Sequence, residues 1–164
     1  MSERTPMVED EGAIQFAYGL NPLAELDEVL DADTFAVLRA WRRVLRRQGM
    51  LGRDPRRYGG LGFGNLSVRD PVDPRRFVIT ASQTGGARDL RQQDLVRIVS
   101  LSLARFWVEA EGRKPPSSET LSHAMVYAAD DTVRWVFHVH SPEIWQQADV
   151  LGLRLGEYRS SDLD

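Results

Sequence analysis

A chain of 164 residues that is 42% hydrophobic and 27% charged is long enough for one ordinary core and short for two. It is too apolar for a disordered chain and too charged for a membrane span. There is no cysteine and there are three histidines, His123, His138 and His140, which excludes disulfides and thiol nucleophiles and leaves imidazole and carboxylate as metal ligands. The net charge of −3 hides a division: residues 1–33 hold 9 acidic and 1 basic residue, residues 34–76 hold 3 and 11, so an acidic arm can lie against a basic segment of its own or a neighbouring chain.

Residues 1–22 show neither the basic opening and apolar run of a secretory signal nor a clear period. The sequence predicts a mobile acidic arm there, with a short turn over 14–18, ahead of a domain over 23–164. No run of 18 apolar residues occurs, and a cytoplasmic protein with no membrane partner is expected. Helices are predicted over 23–31 and 34–48. In the second, Asp33 is a candidate N-cap, Phe35, Leu38, Trp41 or Val44, and Leu45 recur at helical spacing, and Gly49 supplies a stop. Arg39, Arg42, Arg43, Arg46 and Arg47 fall largely elsewhere on the wheel and read as its solvated face. The chain uses 20 Arg and 1 Lys throughout, so the bias is compositional, and no nucleic-acid partner is expected.

Gly59, Gly60, Gly62 and Gly64 cluster ahead of a strand-like run at 66–69, and Phe77–Thr80 has the apolar, β-branched make-up of a buried strand. A polar turn follows over 81–89. Residues 90–99 read as a helix start or a mixed segment with Leu95, Ile98 and Val99 inward, 101–108 as a strand, and 109–116 as a loop. A helix is predicted from Ser117 or Ser118 through Ala129, then a break at Asp130–Asp131, an alternating strand over 133–139, and a short helix over 142–152. Alternating helices and strands place the chain in the α/β class with one central sheet.

Three features carry chemistry. His138 and His140 share one face of the predicted strand, at the strand end where α/β ligands gather: either the pair forms two neighbouring metal ligands, or one packs in the core and the other meets solvent. Glu119 and His123 share a helix face, and Ser117 and Ser118 flank that helix's first turn, where free N–H groups favour an anion; Glu119 there either completes a cap or, pointing into a pocket beside a cation, is a proton-transfer carboxylate. The run GGLGFGN is no dinucleotide fingerprint, because no strand precedes it in a βαβ unit. It reads as a flexible turn or as backbone that approaches a phosphate, with Asn65 and the Thr84–Gly85 turn as further donors.

The runs FGNLSVR, FVITASQTGG and KPPSSETLSHAMVYAADDTVRWVFHVH, in this order and with these gaps, together resemble the class II aldolase/adducin superfamily, most strongly over 34–145. The resemblance implies a three-layer α/β/α fold with a central, mostly antiparallel sheet, a homotetramer, and Zn2+ at the subunit boundary. It implies that His138 and His140 are metal ligands, that Glu119 is the catalytic acid/base, and that Asn65, Thr84, Gly85, Ser117 and Ser118 bind the substrate phosphate. Ser82 rivals Thr84 for that role, and His123 is read as structural. The implied function is zinc-dependent aldol cleavage, or related enediolate chemistry such as epimerisation or dehydration, on a phosphorylated sugar.

The family's third zinc histidine lies well downstream of the HxH pair, and no histidine follows His140 in the 24 residues that remain. The resemblance therefore also implies a domain lacking its last strands and helices. Three readings follow: an aldolase-like enzyme with impaired zinc binding; a small metalloenzyme in which Glu119, Glu143, Asp149 or a neighbouring chain supplies the third ligand; and a non-catalytic, adducin-like assembly module.

Overall fold

The computed structural model describes residues 5–6, 16–23 and 29–153. In chain order the strands are β1 (Thr5–Pro6), β2 (Ala17–Asn21), β3 (Gly52–Arg53), β4 (Gly62–Phe63), β5 (Asn65–Arg69), β6 (Phe77–Thr80), β7 (Leu95–Ser102), β8 (Trp107–Gly112) and β9 (Trp135–His138). The helices are α1 (Ala32–Arg47), α2 (Thr120–Ala129) and α3 (Pro142–Gln146). Seven strands form one mixed sheet in the order β1-β2-β8-β7-β6-β5-β9, antiparallel at every pairing except β2 with β8, and β3 pairs with β4 in a separate ribbon.

Period-2 alternation divides the core between the two faces of the sheet. Phe77, Ile79, Val96, Ile98, Val108 and Ala110 pack with Leu121, Ala124 and Tyr127 of α2. Leu66, Val68, Val78 and Leu95 pack with Leu38 of α1. One helix therefore covers each face. Helix α1 begins where the Asp31 carboxylate accepts the Thr34 N–H at 2.9 Å, two residues before the expected cap.

Several expected elements change. Residues 92–94 form a 3-10 turn and Leu95–Ser102 a long strand. Because β7 carries apolar side chains on both faces, it reads as a continuous run that periodicity alone does not separate from helix. The strand expected over 101–108 is interrupted by a turn at 103–106, and β8, Trp107–Gly112, takes the end of that strand on through 109–112, expected as loop. Glu109, Ala110, Glu111 and Gly112 have poor strand propensity, which hides an alternation of half-buried and buried positions. Residues 17–21, placed in the mobile arm, form β2 beside β8, with Phe16 and Tyr18 buried. The rest of the arm, apart from β1, and most of the helix expected over 23–31 lie outside the described residues, while Val29 and Leu30 form a bend. The last helix ends at Gln146 and continues as turns. Arg42 is not on the solvated face: it is 4% exposed, one turn beyond Leu38 on the inner side of α1.

Arg69, at the end of β5, joins the β5–β6 connection to the last turn of α2 and the α2–β9 connection through carbonyl oxygens. Its guanidinium donates to Val133 at 2.8 Å, Pro74 at 2.9 Å, and Tyr127 and Asp130 at 2.8 Å each. The Asp131 carboxylate, 3.8 Å away and 98% exposed, adds little in water. Replacing Arg69 by Met leaves those carbonyls without their donor, and the expected cost is on the order of 3 kcal/mol. Urea unfolding measures it, and a midpoint unchanged from wild type contradicts this role.

Candidate functional site

The site begins with the register of β5 and β9, which sets Asn65 opposite His138. Gly64 precedes β5 at φ 75°, and a Cβ there would lie 3.1 Å from both the His138 carbonyl and Leu51 Cβ, so both backbone angle and space require glycine. Beyond β9, the His140 N–H donates to the Met50 carbonyl at 2.8 Å. The two imidazoles stack with centroids 4.7 Å apart and ring planes 14° apart. Although the strand ends at His138, the pair still lies side by side, as the spacing predicts.

His140 is wedged against Tyr58 at 4.7 Å and Phe63 at 5.4 Å between centroids. Burial first, then the His138 and Arg57 charges, lower its pKa to about 4, so its ring is neutral at pH 7 and its lone pair is free to ligate. Glu119, at the N-cap of α2, accepts from Ser122 Oγ at 2.9 Å, and its Oε2 lies 3.7 Å from His138 Nδ1. This puts a carboxylate beside the histidine pair. Among the described residues no group of three or more His, Cys, Asp or Glu gathers to enclose a metal.

The polar half of the site lies across β5 and the turn after β6. Asn65 Nδ2 donates to Ser117 Oγ at 2.9 Å, and the Glu119 N–H reaches the same oxygen at 3.4 Å. With its lone pairs engaged, Ser117 keeps its hydroxyl proton for an acceptor in the cleft. Asn65 Oδ1 is buried without a partner among the described residues. Thr84 donates its hydroxyl to the Ala81 carbonyl at 2.7 Å, so it closes the turn and its proton is committed there. Gly85 packs so tightly that a Cβ would stand 2.6 Å from the Gly52 carbonyl. Its N–H has no partner among the described residues.

A cleft of about 380 Å³ is lined by all eight residues that the resemblance assigns to metal, proton transfer or phosphate: Asn65, Thr84, Gly85, Ser117, Ser118, Glu119, His138 and His140. Tyr58, Phe63 and Gln83 also line it and were not foreseen. Gln83 adopts φ 59°, and its Oε1 accepts the Gly62 N–H at 3.1 Å, tying the turn to the glycine-rich segment. The aromatic signal in YGGLGF was legible, but nothing local in the sequence pairs it with His140.

Residues 54–153 match the family model described as Class II Aldolase and Adducin N-terminal domain. The chain belongs to this family. All eight cleft residues fall inside the matched span. A solved L-fuculose 1-phosphate aldolase is similar at 23% identity and a TM-score of 0.49, over 74% of this chain and 50% of that one. The chain thus spans about half the length of that enzyme.

In this class II aldolase/adducin domain His123 lies behind the cleft rather than in it. It is 1% exposed, its Nδ1 is 2.7 Å from Ser67 Oγ, and that hydroxyl is 2.7 Å from Tyr127 Oη. Burial, with a smaller contribution from the His138 charge, lowers the His123 pKa from 6.5 to about 3. The unfolded chain therefore binds a proton below about pH 6.5 that the folded chain refuses. Stability is flat above that pH from this group and falls as pH drops toward 3. At about pH 5 the expected loss is about 2 kcal/mol. Denaturant midpoints at pH 7.5 and 5 test it: equal midpoints contradict a His123 held neutral.

Proposed function

We propose that this domain binds Zn2+ through His138 and His140 and acts on a phosphorylated sugar by aldol cleavage or related enediolate chemistry. The observation that carries the reading is the convergence, in one cleft, of four motif segments far apart in the sequence of a class II aldolase/adducin family member. The donor set suits the metal: two adjacent imidazoles, of which His140 is held neutral, form two ligands of a three-ligand catalytic zinc site. Among the described residues no third His, Cys, Asp or Glu joins them in a group that could hold the ion. When bound, zinc supplies Lewis-acid polarisation of neighbouring keto and hydroxyl oxygens, so that an adjacent C–C or C–H bond can break.

The chain's own groups divide the remaining work. Asn65 orients Ser117, whose hydroxyl proton faces the cleft with the Gly85 N–H and the Ser118 hydroxyl. These donors meet the phosphate at the N-terminal end of α2, where the helix dipole also favours an anion. Glu119, beside His138, takes up or returns the proton of the reacting hydroxyl or carbon. Tyr58 and Phe63 pack on His140 and fix its ring. A homotetramer and a cytoplasmic location belong to the same proposal.

Zinc titration by calorimetry is expected to give one site tighter than micromolar, lost in both His138→Ala and His140→Ala. A folded protein that takes up no zinc refutes the enzyme reading and leaves the adducin-like assembly module. On a sugar phosphate, Glu119→Gln is expected to keep zinc and lose roughly 100-fold or more in kcat. Full rate in that variant excludes Glu119 as the proton carrier.

A further inference from the structure

The arginines of α1 have the sequence pattern of a solvated face, yet one of them, Arg42, is buried behind the cleft. Arg42 Nη2 donates to the carbonyls of Thr84 at 2.8 Å, Gly85 at 3.2 Å and Ala87 at 2.7 Å. Arg46 Nη1 donates to the Ala87 carbonyl and, at 3.1 Å, to that of Arg88. No carboxylate among the described residues lies within ion-pair distance of Arg42. A guanidinium placed this deep is costly without partners, and here its partners are the carbonyls of one turn.

That choice of partners has a directional consequence. In a trans peptide the C=O and N–H of one unit point in opposite directions. With the Thr84 and Gly85 carbonyls drawn back onto Arg42, the N–H groups of Gly85 and Gly86 point away from it. Gly85 lines the cleft and its N–H is free among the described residues. Gly85 cannot swing toward another arrangement at low cost, because Gly52 and Phe63 backbone atoms close the space around its Cα. The turn therefore offers the cleft a fixed donor with a buried positive charge directly behind it, the arrangement that stabilises an anion without reorganisation.

We propose that Arg42 is a positioning residue for anion recognition in this cleft, holding the Thr84–Ala87 turn so that the Gly85 N–H meets the phosphate of the substrate. The inference rests on the reading that this turn takes the phosphate. Lysine in its place would keep a charge but lack the planar fork that gathers several carbonyls.

The test is an amide NMR titration of the full chain with inorganic phosphate as the probe, alongside zinc calorimetry, on wild type, Arg42→Met and Arg42→Lys. Wild type is expected to shift the Gly85 and Ser117 amides on phosphate addition. In Arg42→Met phosphate affinity is expected to fall roughly tenfold or more with zinc affinity unchanged, since hydrogen bonds to charged groups are worth about that factor. Arg42→Lys is expected to recover part of the affinity without restoring the Gly85 shift. A folded Arg42→Met that binds phosphate as wild type does overturns the proposal for Arg42 while leaving the phosphate reading intact. If Arg42→Met does not fold, Arg42→Lys decides: wild-type affinity with the wild-type Gly85 shift overturns it. A wild type in which phosphate moves neither Gly85 nor Ser117 overturns both readings.

Discussion

Strand β5 is buried on both faces, and one of those faces is polar. Leu66 and Val68 turn toward α1 and enter an ordinary apolar cluster, whereas Asn65, Ser67 and Arg69 turn toward α2, each below a tenth exposed. A buried polar row survives only if its members are hydrogen-bonded, and here the partners come from the same helix and the segments at its two ends. Asn65 binds Ser117 ahead of α2, Ser67 meets His123 and Tyr127 within it, and Arg69 holds the Tyr127 and Asp130 carbonyls at its close. The row fixes the height, direction and N-terminal position of α2, and so decides where Ser117, Ser118 and Glu119 stand.

The same strand sets the opposite wall of the cleft. Its antiparallel pairing with β9 fixes His138 across from Asn65, and the glycine before it admits the His138 carbonyl at close range. The histidine pair and the hydroxyl pair are thus held from one strand, one through its backbone and one through its side chains. Charge is arranged around that frame. The cleft brings together the N-terminal end of α2, the Gly85 N–H that has no partner among the described residues, and the Glu119 carboxylate beside His138. Under the proposed function, this arrangement provides an anion subsite beside a metal and proton-transfer subsite within one space.

Much of this was legible from residue order, and the exceptions have physical causes. The HxH spacing and the SSE segment on a helix start could be read because each is local: period 2 and a cap position are properties of a few consecutive residues. The long strand β7 could not be separated from helix because Leu95 packs on one face and Val96 and Ile98 on the other, and with Val99 they make a nearly continuous apolar run, which removes the alternation that marks a strand. Strand β8 was hidden by Glu, Ala and Gly at positions whose neighbours, not their propensity, decide the conformation. Arg42 was the least legible. Its burial depends on a turn 42 residues away whose carbonyls face inward, and an arginine on a basic helix carries no local mark of such a partner.

The central claim is that β5 holds a two-histidine metal subsite and an anion subsite in one cleft. Anomalous diffraction at the zinc edge, from crystals of the full chain grown with zinc, tests it most directly. A single strong peak within bonding distance of both His138 and His140 is the predicted result. Peaks confined to surface carboxylates, with the two imidazoles unliganded, would contradict the account.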